Sequence, residues 1–196
     1  MTAVILSGGF SSRMNYNNKA FLEIRGEKLI EIILKKVSRF KEVIIVSNNP
    51  EEYEYLGVKV IKDIIPQKGP MSGIHSGLTH ARYDHCVVLP CDMPSASPEF
   101  LEYLASLAEG YDVVVPRING RYEPLCSVYG KNCIPHMEEN LKQGAYKLGL
   151  IFPKVKVREV YSEEILPYGD PDFIFANIND PQAYSKFLSN QGSSHL

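Results

Sequence analysis

No apolar run in this chain approaches the ~20 residues that a bilayer-spanning helix needs. Charge of one sign is also lacking: 21 Lys and Arg stand against 23 Asp and Glu, for a net charge of −2 at pH 7. So small an imbalance gives no strong pull towards nucleic acid or an anionic membrane, and neither is expected as a partner. The N-terminus runs from Met1 straight into an apolar strand, with no basic stretch and no long apolar stretch of the kind a secretory signal carries. A cytoplasmic location is the expectation. Cysteine is sparse, and Cys86, Cys91, Cys126 and Cys133 form no Cys-x-x-Cys pair, which disfavours a structural zinc site. They are expected as buried, inert thiols. His75, His80 and His85 are five residues apart, so on a helix they do not share a face as a metal-binding i, i+4 pair would. There is no internal repeat, no low-complexity tract and no linker-like segment. The 196 residues therefore read as one domain with an ordinary core, ending in a frayed polar tail over 189–196.

What is present is an alternation of strands and helices. Ala3–Ser7, Val43–Val46, Val58–Ile61, Cys86–Leu89 and Asp112–Val115 are short apolar or β-branched runs that predict buried strands. Between them, Leu29–Phe40 carries apolar residues at helical spacing. Met71–Arg82 follows a Gly69-Pro70 break, and Pro98–Ala108 has Ser97 as N-cap and Pro98 at the first helical position. This alternation predicts an α/β fold of three layers, a mostly parallel sheet with helices on both faces. The second half differs. Pro124–Tyr129 follows Val115 after a short polar loop and predicts an antiparallel addition towards the C-terminus. Helices are expected over Cys133–Lys142 and Gln182–Leu188, and a last strand over Phe173–Ala176.

Three stretches carry chemistry. In the first, Leu6-Ser7-Gly8-Gly9-Phe10-Ser11-Ser12-Arg13-Met14 leads on to Lys19. A glycine pair just past the first strand lets backbone N–H groups approach an anion. Arg13 supplies a bidentate guanidinium and Lys19 a point charge, so the loop has the parts a triphosphate needs. It is neither a Walker A motif nor Gly-x-Gly-x-x-Gly. In the second, Leu89-Pro90-Cys91-Asp92-Met93-Pro94 places a carboxylate at the same sheet edge, where Asp92 could hold a Mg²⁺ that bridges phosphates. In the third, Lys62-Asp63 closes a strand, and Asp63 could accept hydrogen bonds from a base or sugar. The glycines that follow, from Gly69 through Gly73 to Gly77, allow close approach either of a ligand or of a helix to the sheet.

Together these stretches resemble the molybdenum cofactor guanylyltransferases, the molybdopterin-guanine dinucleotide biosynthesis protein A family within the nucleotidyltransferase superfamily. The family opening is similar to Leu-Ala/Ser-Gly-Gly-x-Ser-x-Arg-Met-Gly followed by Lys, and here Asn15 stands in place of the glycine after Arg13-Met14. Later family features match Gly69-Pro70-Met71-Ser72-Gly73-Ile74, Pro90-Cys91-Asp92-Met93-Pro94, Glu123-Pro124-Leu125-Cys126-Ser127-Val128-Tyr129 and Asn177-Ile178-Asn179-Asp180-Pro181. The resemblance covers residues 3 to about 184. It implies a Rossmann-like nucleotidyltransferase fold and GTP binding by Leu6, Ser7, Gly8, Lys19, Asp63 and Asp92. It also implies a Mg²⁺ ligand in Asp92 and catalytic roles for Arg13, Lys19 and Asp92. Ser47, Asn48, Gly73, Asn177 and Asn179 become candidate contacts to the nucleotide or the pterin. The implied partners are GTP, molybdopterin or Mo-molybdopterin, and molybdenum cofactor insertion or delivery proteins. Ser7-Gly8 and Met93 depart from the cytidylyl-transferring branch, which is similar but reads Ala-Ala and Gln there. Two other readings stay open. One is a different nucleotidyltransferase, acting on molybdopterin with CTP or on a sugar-1-phosphate. The other is a non-catalytic nucleotide-binding regulator.

Overall fold

The central strand β1, Thr2–Leu6, pairs with a parallel neighbour on each side, β4 (Glu42–Val46) and β6 (His85–Pro90). A strand enclosed in this way meets helices above and below, so it is apolar at nearly every position rather than at alternate ones. The computed structural model describes residues 1–7, 18–24, 26–66 and 69–177. Within them, the other strands are β2 (Glu23–Ile24), β3 (Glu27–Lys28), β5 (Lys59–Ile61), β7 (Val113–Ile118), β8 (Arg121–Tyr122), β9 (Ser127–Gly130) and β10 (Val157–Tyr161). The α-helices are α1 (Leu29–Lys36), α2 (Pro70–His80), α3 (Pro98–Ser106), α4 (Ile134–Lys142), α5 (Ser162–Ile165) and α6 (Pro171–Ile174). The main sheet runs β10-β7-β9-β6-β1-β4-β5, with β8 folded back on β7.

Successive side chains along each strand serve opposite faces. Ile5, Ile45, Val87, Val114 and Val128 enter one core cluster with Ile33 of α1 and Phe100 of α3. Val4, Ile44, Val88, Val113 and Tyr129 enter the other, with Ile74 of α2 and Met137 of α4. This is the three-layer α/β/α arrangement expected from the alternation of elements. Ser97 caps α3 as expected, its Oγ accepting from the Phe100 N–H at 3.2 Å. Removing that acceptor, as in Ser97→Ala, should cost about 1 kcal/mol in urea unfolding. An unchanged midpoint would mean that water replaces the cap at no cost.

The second half bears out one expectation, with its place in the sheet now defined, and corrects another. β9 is antiparallel, as anticipated, but it lies inside the sheet, hydrogen-bonded to β6 on one side and β7 on the other. It can sit there because all four of its residues are buried, whereas an edge strand would face solvent. The segment expected as a last strand, Phe173–Ala176, is instead the end of α6 and the turn after it. Asp170 caps that helix, its carboxylate accepting from the Asp172 N–H at 3.0 Å, and Pro171 takes the first helical position. The sheet edge is β10, parallel to β7. Its Arg158-Glu159 pair and half-exposed residues suit an edge, and they obscure it as a strand in the sequence. The expected helix over Gln182–Leu188 lies outside the described residues.

Among the described residues no helix is long and apolar enough to cross a membrane. Cys86, Cys126 and Cys133 are buried and free, and Cys91 is partly buried. Burial pushes the Cys86, Cys91 and Cys133 thiols up to about 12, which keeps them protonated and unreactive near neutral pH.

Candidate active site

The parallel strands are laced together one residue beyond their ends. The Cys91 N–H donates to the Leu6 carbonyl at 3.1 Å, the Ser7 N–H to Val46 at 2.9 Å and the Ser47 N–H to Ile61 at 2.9 Å. These bonds bring four loops to one edge of the sheet, in the spatial order β6, β1, β4, β5. Asp92 follows β6, Leu6 and Ser7 close β1, Ser47 and Asn48 follow β4, and Asp63 follows β5. In an open α/β sheet this carboxyl edge is where ligands bind.

At one end of the row, the Lys19 ammonium lies 3.8 Å from an Asp92 carboxylate oxygen, each side chain 22% exposed. Lys19 stands on a short 3-10 turn, Lys19–Phe21, capped by Asn18, whose Oδ1 accepts from the Ala20 N–H at 3.2 Å. Burial raises the Asp92 pKa above the ordinary carboxylate value, and the Lys19 charge pulls it partly back. At the other end, the Asn48 amide donates to Asp63 at 3.1 Å, and its Oδ1 accepts from the Asp63 N–H at 3.3 Å. Burial raises the Asp63 pKa too, against the Asn48 hydrogen bond. Two carboxylates are thus held partly desolvated at opposite ends of one row.

Gly73 packs close against this row. A Cβ there would come within 3.0 Å of Leu6 Cδ2 and 3.7 Å of Asp63 Oδ1. Asn177 lies just past α6, two residues beyond Phe175, which lines a cleft of about 350 Å³ with Ile118, Arg121 and Glu123. Gly8, Arg13 and Asn179 lie outside the described residues. The sequence reading missed Tyr53, whose hydroxyl meets the Ser7 hydroxyl at 2.8 Å. The signal was there in Pro50-Glu51-Glu52, a helix-start pattern that places Tyr53 in a helical turn. It missed Arg121 as well, which lines both the first cleft and a second of about 500 Å³.

A mostly parallel sheet with a partly buried Lys–Asp pair at its carboxyl edge suits the binding of a nucleotide's phosphates. Comparison with known proteins defines the class: residues 3–152 match the MobA-like NTP transferase domain. The chain belongs to that family and is a nucleotidyltransferase. More closely, it is 48% identical over 147 residues to a probable molybdenum cofactor guanylyltransferase of Clostridium perfringens (strain 13), covering 75% of this chain and 74% of that one. It is 41% identical over 183 residues to a protein of the same name from Pelotomaculum thermopropionicum, covering 92% and 88%. Among solved structures, molybdopterin-guanine dinucleotide biosynthesis protein A of Archaeoglobus fulgidus superposes with a TM-score of 0.85 at 28% identity, covering 98% of this chain and 99% of that one. The chain therefore groups with the molybdenum cofactor guanylyltransferases, the family its motifs resemble.

Proposed function

We propose that this protein transfers guanylate from GTP to molybdopterin, releasing pyrophosphate and forming the guanine dinucleotide cofactor in the cytoplasm. The observation that carries this reading is the row of polar groups at the sheet edge. From the loop after β6 to the loop after β5 there are three strand spacings, about 14 Å, comparable to the length of an extended nucleoside triphosphate. The phosphates lie at the Lys19–Asp92 end. The nucleoside runs past Ser7 and Ser47 to the Asn48–Asp63 end, where a purine and its sugar find carboxylate and amide partners.

A divalent cation fits this site because Asp92 is an ionisable group kept in a partly desolvated position. Its cation partner stands at an ion-pair distance of 3.8 Å rather than in close contact. Asp92 would hold Mg²⁺, and the bound ion would supply charge neutralisation to the phosphates. Lys19 screens the pyrophosphate that leaves, with Arg13 as the expected second cation. The acceptor phosphate is already anionic near neutral pH, so the protein needs no strong general base. Its task is to align two anions and offset their repulsion. The cleft of about 500 Å³ lies at the same sheet edge, beside β8. Tyr122, Tyr146, Phe152, Arg121 and Lys147 line it, and rings and cations together suit a flat heterocycle that carries a phosphate. Asn177 and Asn179 are the proposed further contacts to the pterin. The product passes to molybdenum cofactor insertion or delivery proteins.

The test is pyrophosphate release from GTP, CTP, ATP and UTP with Mg²⁺, each with and without molybdopterin. Release from GTP alone, and only with the pterin, is expected. Release from CTP would make the protein a cytidylyltransferase. Silence with all four nucleotides and active pterin would turn the reading towards a binding role.

A further inference from the structure

Between β4 and β5, the run Pro50-Glu-Glu-Tyr-Glu-Tyr-Leu56 folds as 3-10 turns in which Tyr53 alone is buried. Its ring packs on Phe21 with centroids 5.1 Å apart, a role that phenylalanine could fill as well. The hydroxyl needs a separate explanation, because a buried phenol costs free energy unless it is hydrogen-bonded. Here its bonding capacity is filled. It donates to the Ser7 carbonyl at 3.3 Å, meets the Ser7 Oγ at 2.8 Å and accepts from the Asn18 amide at 2.8 Å. Burial raises the Tyr53 pKa, so the proton these bonds require stays in place. The Asn18 amide also donates to Glu52 at 2.7 Å, so a second residue of the same turn holds it.

Ser7 and Asn18 are the residues on either side of 8–17, the segment that contains the glycine pair and Arg13. Asn18 in turn caps the short helix that begins with Lys19. One phenol therefore links the end of β1 to the base of the lysine that faces Asp92.

We propose that Tyr53 is a positioning residue for the nucleotide. Its hydroxyl fixes the spacing between Ser7 and Asn18, and through Asn18 the place of the Lys19 ammonium relative to Asp92. This rests on the reading that the triphosphate lies over Ser7 and Lys19. Tyr53 itself touches no reacting atom.

The experiment is Tyr53→Phe, which keeps the ring and removes the hydroxyl. Binding of a fluorescent GTP analogue with Mg²⁺ should weaken about tenfold, the equivalent of losing one or two hydrogen bonds. The KM for GTP should rise in parallel, while the KM for molybdopterin stays within about twofold. A role in the core alone would lower the melting temperature without this split between substrates. Asn18→Ala is the second variant and keeps the test open should Tyr53→Phe fold poorly. The two changes break the same link, so their effects on nucleotide binding should combine to less than their sum. Unchanged nucleotide binding in Tyr53→Phe, an equal rise in both KM values, or strictly additive effects would each overturn the proposal. The binding measurement needs no acceptor. A wild-type protein that binds GTP but does not transfer guanylate to molybdopterin would sink the guanylyltransferase reading and leave the role of Tyr53 to be judged on binding.

Discussion

Asp92→Asn is expected to lower turnover by about three orders of magnitude, the effect of removing the proposed metal ligand, worth several kcal/mol to the transition state. The substitution keeps the shape of the side chain and deletes its charge, so the fold should survive. The stability of the empty protein follows from the direction of the pKa shift. Burial raises the Asp92 pKa in the folded state above its unfolded value. A carboxyl shifted upwards adds stability only when protonated. That contribution is full below the unfolded pKa and is lost as pH rises through the folded pKa. Near neutral pH the ionised Asp92 is thus a cost to folding, and the asparagine variant should be equally stable or slightly more so. In the proposed role turnover has the opposite requirement, since only the carboxylate form of Asp92 would hold Mg²⁺. The acid limb of the wild-type rate profile should therefore lie above the pH at which an unperturbed aspartate would place it, and should shift to lower pH as Mg²⁺ is raised. Rates and melting curves of the two proteins, measured across pH, check both statements. Near-normal turnover in Asp92→Asn would remove this residue from the metal site. A large drop in melting temperature at neutral pH would mean that the charge stabilises the fold.

The parts of this arrangement that were legible in the sequence are those in which local pattern and global fold agree. β1, β4, β5 and β6 are short, largely apolar runs, with Ser7, Ser47, Asp63 and Asp92 within two residues of their ends, so the sequence already put these four side chains at the carboxyl edge of the sheet. The end of α6 misled because Phe173-Ile174-Phe175 is a short apolar run that suits a strand or a buried helical turn equally well. Asp170 and Pro171, which decide the matter, lie just before it. The place of β9 was hidden for another reason. The antiparallel hairpin-like approach from β7 is local, but its pairing with β6 joins residues some forty positions apart, and no local pattern encodes that. Tyr53 was hidden because its partners, Ser7 and Asn18, come from a different stretch of chain. A buried hydroxyl reveals its purpose only when those partners are seen together.

The glycines of α2 show how packing between a helix and the sheet supports the candidate site. The sequence left two uses open for them, close approach of a ligand or close approach of a helix. The structure shows the second at Gly77. A Cβ there would stand 2.6 Å from Cγ1 and 3.0 Å from Cγ2 of Val4, inside any tolerable contact. Val4 cannot retreat easily, because it lies on the central strand and is 1% exposed. Gly77→Val should therefore destabilise the protein by about 3 kcal/mol, the upper part of the range for an overpacked core. The improved helix propensity returns only a few tenths of that. For a chain of this size the melting temperature should fall by about 6–12 °C. Nucleotide binding should weaken as well, because α2 also holds the loop that carries Asp63. The Ser76 Oγ accepts from the Ile64 N–H at 2.8 Å, and Ser72 donates to the Ile65 carbonyl. A helix pushed off β1 carries that loop with it. Val4→Ala makes room on the strand, so the double variant should be more stable than the two single losses add up to. Melting curves of the four proteins would measure that coupling. A Gly77→Val protein that melts like wild type, or a double variant whose losses simply add, would show that the contact between α2 and β1 is not what these glycines serve.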